Sequence, residues 1–474
     1  MRMACARADK PEGPYEVNRA ISTDESFGLA EGNRLRNMPN APPFEVIPGN
    51  TIDGGRVSLH QGGLVQTPTG EWWGFSMMDY NSVGRLTCLS PVTWTNGWPF
   101  FGLPGNLTRT PRTWVKPNTG HTSPPSAPYQ RNDDFSGPKL ANVWQWNHVP
   151  DDTKWSLSER PGFLRLHSLP ATNFWSARNT LTQRAIGPES IPTAELDASG
   201  MKPGDVAGLA LLNFPYAWIG VRCETNGLTL EQFNQLTDET KNVPLSTKHV
   251  SLRANCDFLT EKATFSYSTD GKKFEPLGGE FTMIFQTRTF QGVRYSLFNF
   301  NTSDAPGGYA DFDLFAMQEP HPAGFTRPIP VGKTIVLENM LAGSVLVSKG
   351  DALATVPKND TLASTVAAQF KVIGLPLGRV AFQSSANGRL VTVAGLGEAS
   401  RVSLEKTRAG DDSQAFQWTE MPRGDLLLLS VTGHRHLRIE PADGTVTADA
   451  PGAQPDRKNG AAWNWNEVGP MTDP

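Results

Sequence analysis

The first 110 residues hold the carboxylates Glu31, Asp53, Glu71 and Asp79, the imidazole of His60 and the guanidinium of Arg85. Carboxyl groups can act as general acid and base when their environments push their proton affinities apart. The local sequence around each of these four reads as a loop or turn, where a solvated acid is expected, and no residue is assigned a catalytic role. His60, in HQGG, is either a satisfied core histidine or a pocket group. Arg85 is either a strand-edge ion pair or a fork for an oxygen-rich ligand, which a permanently charged planar guanidinium suits. The chain also carries 13 tryptophans. Their faces can stack on the apolar C–H faces of sugar rings, although aromatics in sheets more often fill core. Trp72, Trp73, Trp94 and Trp98 are expected to be core.

Strands must position these groups. Short runs bounded by Gly, Pro, Asn and Asp dominate the sequence, which predicts an all-β protein. At 474 residues the chain exceeds one ordinary core, so several domains are expected. A first segment ends near residue 110. A proline-bearing stretch, 111–131, reads as a linker laid over a surface. From 132 to about 320, period-two alternation around Phe265, Tyr267, Phe312 and Leu314, with an Asp270-Gly271 turn, predicts hairpins and a two-sheet jelly roll. The one predicted helix is 229–241, with Thr229 and Gln232 as a capping box and Leu230, Phe233 and Leu236 near one face. Cys223 and Cys256 either pair or remain free buried thiols, the latter being preferred.

From 325 to 470 the sequence repeats. Apolar strands 335–337, 380–382 and 426–428 are followed by Gly343, Gly388 and Gly433, and then by the aromatic closers Phe370, Phe416 and Trp463. Three units of about 45 residues, none able to bury its apolar face alone, predict a β-trefoil. Polar turn residues Asn387, Arg389, His434 and Arg435 suggest a carbohydrate-binding module with shallow sites. The net charge of −4 argues against a nucleic-acid partner that depends on phosphate neutralisation. No run of 18 apolar residues exists, so no membrane partner is expected. Residues 1–20 lack a signal-peptide pattern. Localisation stays unassigned, with an extracellular or periplasmic site expected if a signal lies upstream.

The fragments HQGGLVQTPTGEWW (60–73) and GRLTCLSPVTWTNGWP (84–99) resemble the closing blades of the five-bladed propeller of glycoside hydrolase family 43. DDFSGPKL, WQWNH, PDDTKWSL, RPGFLRLH, FWSARNTLTQR and DVAGLAL resemble the concanavalin-like sandwich that follows that propeller. The closers QFKV, AFQW and AWNW resemble those of fascin-like and ricin-like trefoils. The resemblance implies a β-xylosidase or α-L-arabinofuranosidase that hydrolyses xylan- or arabinan-type saccharides by inversion, with a polysaccharide or oligosaccharide as partner. Inversion needs two carboxyl groups about 6.5–9.5 Å apart. None of the family's acid motifs surrounds Glu31, Asp53, Glu71 or Asp79. The first segment is therefore expected to supply about two blades of an incomplete propeller, without the catalytic acids, and the chain to be inactive and poorly stable over its first 110 residues. A non-catalytic carbohydrate-binding remnant is the alternative. By the same resemblance, His60 contacts the sugar or a central calcium, Arg85 contacts sugar hydroxyls, and Phe290 (or Phe285) enters the pocket from the sandwich. No cofactor is required beyond that possible calcium.

Overall fold

In the computed structural model the described residues are 3–22, 32–37, 39–49, 59–122, 129–286, 289, 291–303, 305–321, 326–408, 410–421, 424–452, 454 and 457–469. Strands and short 3-10 turns make up their regular elements. No helix among them is long and apolar enough to cross a membrane.

In the first segment, His60–Gln66, Trp72–Tyr80 and Gly84–Pro91 form an antiparallel meander. The hairpin Thr93–Thr95/Trp98–Phe100 follows. Its two-residue turn, Asn96-Gly97, has both φ values positive, as the twist of a tight hairpin requires. Two short hairpins precede the meander, Cys5–Arg7/Glu16–Asn18 and Arg34–Leu35/Val46–Ile47. One meander face carries Met78, Leu86 and Cys88 toward the sandwich core, while Val65, Phe75 and Leu89 on the other are exposed. The expected tryptophan packing is met in part, since Trp94 is exposed and Trp72 only half-buried. Trp73 and Trp98 are buried, Trp72 meets Trp94 edge to face at 5.3 Å, and Arg7 lies 4.0 Å over Trp98.

The sandwich consists of two eight-stranded sheets. One runs through Leu181–Arg184, Arg294–Asn301, Asp205–Leu212, Ala217–Glu224, Gly227–Asn234 and Glu239–Leu245. The other runs through Leu164–His167, Tyr309–Gln318, Glu189–Asp197, His249–Asp257 and Lys262–Ser268. Alternate residues of both, such as Leu209, Ile219, Leu252, Phe265, Leu297 and Phe312, meet in a common core. The predicted helix 229–241 is instead the hairpin Gly227–Asn234/Glu239–Leu245, with Asp238 at φ +57° in its turn. Leu230 and Phe233, taken as one helical face, point to opposite sides of the sheet and join different clusters. Pairing with Ala217–Glu224 along its whole length overrides the local helical pattern.

Cys223 and Cys256 lie in different sheets, buried and free. Burial pushes the Cys256 thiol up to about 12, which suppresses the reactive thiolate. Ellman's reagent is expected to reach at most Cys5 and Cys88 in the native protein, and all four thiols in denaturant. Fewer than four in denaturant would reveal a disulfide.

Beyond residue 326, twelve strands pair in a three-fold pattern. Thr334–Asn339, Phe370–Leu375, Arg379–Ser384, Phe416–Glu420, Leu426–Ser430 and Trp463–Glu467 close into a ring, the last strand pairing with the first. Three hairpins decorate it: Ser344–Lys349/Ala352–Pro357, Leu390–Ala394/Arg401–Glu405 and His436–Ile439/Val446–Ala450. This is the pairing pattern of which a β-trefoil consists. Phe370, Phe416 and Trp463, the repeated closers, are fully buried in its core. The equivalent turns are closed by Gly343 N–H to Asn339 O, Gly388 N–H to Ser384 O, and His434 N–H to Ser430 O. The counterpart of Gly343 and Gly388 is thus His434, not Gly433, and all three share positive φ.

Residues 102–114 strap the first segment to this unit. His434 Nδ1 sits 2.8 Å from Pro104 O, Arg435 donates to Gly105 O, and Asn106 donates to His434 O and Pro451 O. Thr113 and Thr419 share a hydroxyl hydrogen bond. The stretch read as a linker therefore begins as a docked segment.

Candidate functional site

Asp79 and Arg85 face one another across the turn Tyr80–Gly84 as directly opposed residues of adjacent strands. Arg85 Nε donates to Asp79 Oδ1 at 3.0 Å. His60, on the third strand of the same sheet, brings Nε2 to 3.3 Å from Asp79 Oδ2, within ion-pair range but off the line of a hydrogen bond. A bulge between His60 and Gly62, with Gln61 at φ +52°, re-aims the histidine toward Asp79. His60 is buried, and the Asp79 and Arg85 side chains are 30 % and 25 % exposed. The cluster thus offers an imidazole, a carboxylate and a guanidinium at the edge of solvent, a set suited to several hydroxyl groups of one ligand.

Sequence reasoning found His60 and Arg85 but set Asp79 aside as a solvated loop acid. It is a strand residue that joins the other two. The available signal was spacing: an acid and an arginine flanking a short Asn-Ser-Val-Gly turn are cross-strand neighbours. Glu71 does sit at a turn, accepting from the Trp73 indole and from Asn118 N–H. Glu31, Asp53 and Phe290 lie outside the described residues. Phe285 is buried, and its N–H donates to Asn33 O.

The cluster does not fit a calcium ion. Calcium takes six to eight hard oxygen ligands. Among the described residues no group of three or more His, Cys, Asp or Glu side chains could hold a metal. The one carboxylate beside His60 already carries the Arg85 cation.

The sandwich grips the turn between Asp79 and Arg85. Asn81 donates its side-chain N–H to Phe258 O. Ser82 donates N–H to Glu261 Oε1 at 2.7 Å and accepts from Val293 N–H. Gly84 and Gly292 approach so closely that a Cβ on Gly292 would lie 1.8 Å from Val83 O. Arg184 donates to Arg85 O. Glu261 is 5 % exposed and its Oε2 has no hydrogen-bond partner among the described residues. Burial pushes its carboxyl up to about 8, against the opposing pull of the Ser82 hydrogen bond.

Beside the meander, a cleft of about 450 Å³ opens toward the three-fold unit, lined by Met78, Cys88, Leu89, Arg112, Trp418 and Glu420 among others. Burial lowers Arg112 to about 10. The turn residues expected to meet sugar are engaged within the chain. Asn387 donates to Gly350 O, Arg389 pairs with Asp351 at 2.7 Å, and His434 and Arg435 hold the strap.

Residues 132–318 match the family model described as the β-xylosidase C-terminal concanavalin A-like domain. A β-xylosidase of Formosa agariphila is 34 % identical over 306 residues, which is 58 % of this chain and 50 % of that protein. A non-reducing end α-L-arabinofuranosidase of Bacteroides ovatus is 32 % identical over 183 residues, 36 % of this chain and 29 % of that protein. Among solved structures, a bifunctional GH43-CE protein of Bacteroides eggerthii superposes with TM-score 0.54 at 33 % identity, covering 71 % of this chain and 41 % of its own. The chain thus spans half the length of the Formosa relative. Residues 132–318 are thus similar to the sandwich that closes β-xylosidases, and the chain as a whole is similar to proteins of glycoside hydrolase family 43.

Proposed function

We propose that this protein acts in the hydrolysis of glycosidic bonds in xylan- or arabinan-type saccharides, with His60, Asp79 and Arg85 holding the sugar. The observation that carries the reading is the convergence of His60 and Arg85 on Asp79 at the edge of solvent, in a chain whose relatives are named β-xylosidase and α-L-arabinofuranosidase. The inverting acid and base are assigned outside this trio. Asp79 is compensated by a guanidinium at 3.0 Å, whereas a general acid needs an environment that favours its protonated form.

That same compensation favours a second reading, a saccharide-binding protein without turnover of its own. One experiment separates the two. Aryl β-xylosides and aryl α-L-arabinofuranosides are incubated with the protein while xylo- and arabino-oligosaccharide binding is followed through the His60 ring signals. Nitrophenol release with inverted anomeric product supports hydrolysis. Shifted His60 signals without release support binding alone, and neither response to either sugar overturns both. If hydrolysis appears, Asp79→Asn is expected to weaken binding. Complete loss of turnover with binding intact would make Asp79 itself the acid or base.

A role for the three-fold unit in holding polysaccharide is proposed for the surfaces away from its third turn, which the strap fills. Retardation in arabinoxylan gels by the intact protein checks this. Mobility unchanged by any plant polysaccharide leaves the unit as a spacer.

A further inference from the structure

We propose that Glu261 is a positioning residue for the saccharide site, entering from the sandwich to hold the turn that sets Asp79 opposite Arg85. The proposal rests on the reading of His60, Asp79 and Arg85 as that site. The geometry is specific. Two strands carry Asp79 and Arg85, and their relative placement is decided by the turn Tyr80–Gly84. Three polar groups at the middle of that turn are held by the sandwich: the Asn81 amide N–H by Phe258 O, Ser82 N–H by Glu261 Oε1, and Ser82 O by Val293 N–H. Of these holders, Glu261 alone is an ionisable side chain. Its own backbone is at φ +59°, a conformation a non-glycine residue keeps only where its surroundings impose it. Gly32 packs against it so tightly that a Cβ there would lie 2.7 Å from Oε1. The seam therefore has little space for the water that an ionised carboxylate would draw in.

The groups facing Glu261 do not compensate a negative charge. The titratable groups are Tyr80 from the meander and Asp257 from the preceding strand, while hydrogen bonding from Ser82 favours the charged form without neutralising it. Tyr80 is itself held up at about 12, by burial first and then by Glu261, with Arg112 acting on Tyr80 in the opposite sense. The closed seam therefore favours the neutral form of the Glu261 carboxyl. The sign of the pH effect follows. A carboxyl that binds its proton more tightly in the closed seam favours closure most below the ordinary carboxylate range. That advantage declines as pH climbs toward about 8 and is gone above it.

Hydrogen exchange on the full chain tests this, corrected for intrinsic chemistry. Between pH 5.5 and 7.5 the protection of the Ser82 and Val83 amides is expected to fall by up to about tenfold per pH unit. Glu261→Gln keeps an oxygen acceptor but cannot ionise, so its protection is expected to be flat with pH and the Arg85 Nε–H signal to stay sharp. Glu261→Ala is expected to lose protection at both pH values and to broaden that signal. If Glu261→Ala does not fold, the wild-type and Gln profiles decide alone. Superimposable pH profiles for those two overturn the proposal. Oligosaccharide titration of the same samples is scored separately. Absent binding with the expected exchange profiles refutes the site reading and leaves the hold on the turn standing.

Discussion

Arg85→Ala is expected to lower kcat on aryl pentosides by at least ~10²-fold in any form of the protein that turns them over, the scale of one well-placed electrostatic donor. The guanidinium is anchored by Asp79 and presented at the edge of solvent beside His60. A fork that bonds sugar hydroxyls as charge develops stabilises the transition state beyond the ground state, so the loss belongs in kcat and not in KM alone. Removing it also leaves Asp79 with only an imidazole for company. Arg85→Lys keeps the charge but not the planar fork, and should recover only part of the rate. Near-normal turnover in the alanine variant would remove Arg85 from the site.

The second large effect lies far from the sugar. Trp463→Ala is expected to destabilise the three-fold unit by about 3–5 kcal/mol, the range for deleting a buried aromatic side chain. Trp463 is fully buried, pairs with Asn339 and Leu426, and donates its indole N–H to Leu437 O at 3.0 Å. It therefore sits on the strand that closes the ring, packing the core and satisfying a carbonyl at once. Trp463→Phe should cost less, because most of the buried area is retained and chiefly the hydrogen bond is lost. Exchange of the amides in Leu426–Ser430 reports on this unit by itself, which a single melting curve of a multidomain chain does not. An unchanged exchange rate in the alanine variant would refute the assignment.

The sandwich was legible because each strand buries one face, so the alternation of Phe265 with Tyr267 and of Phe312 with Leu314 is written directly in the chain. Residues 229–241 were misread because Leu230 and Phe233, three apart, fit a helix as well as two faces of a strand. What decided between them was pairing with a strand several residues upstream, which no local window contains. The triple repeat was visible through its buried closers. Its third turn slipped by one residue because Gly433 preserved the spacing while His434 took the left-handed position. Asp79 was missed for a related reason. Its significance arises from what stands opposite, in Arg85 and His60, and spacing along the chain shows only the first of those. The strap and the grip of Glu261 on Ser82 were not legible, since both join residues far apart in sequence, chiefly where a side chain meets a main-chain atom that every residue type possesses.

The docking of residues 102–114 onto the three-fold unit changes what kind of object the protein presents to a polymer. A body joined to its neighbour by one flexible covalent tether samples a cloud of separations, and the gain from a second contact then follows linker statistics. Here the unit is held at a second place, where Asn106 and Arg435 interlock and Thr113 meets Thr419. Next to that contact, Arg327 reaches Glu420 and Trp465 O. Two anchors so distant in sequence remove the swivel. The distance between the meander and any saccharide-holding surface on the unit is then a fixed ruler, and a polysaccharide would be selected by whether its repeat matches that ruler.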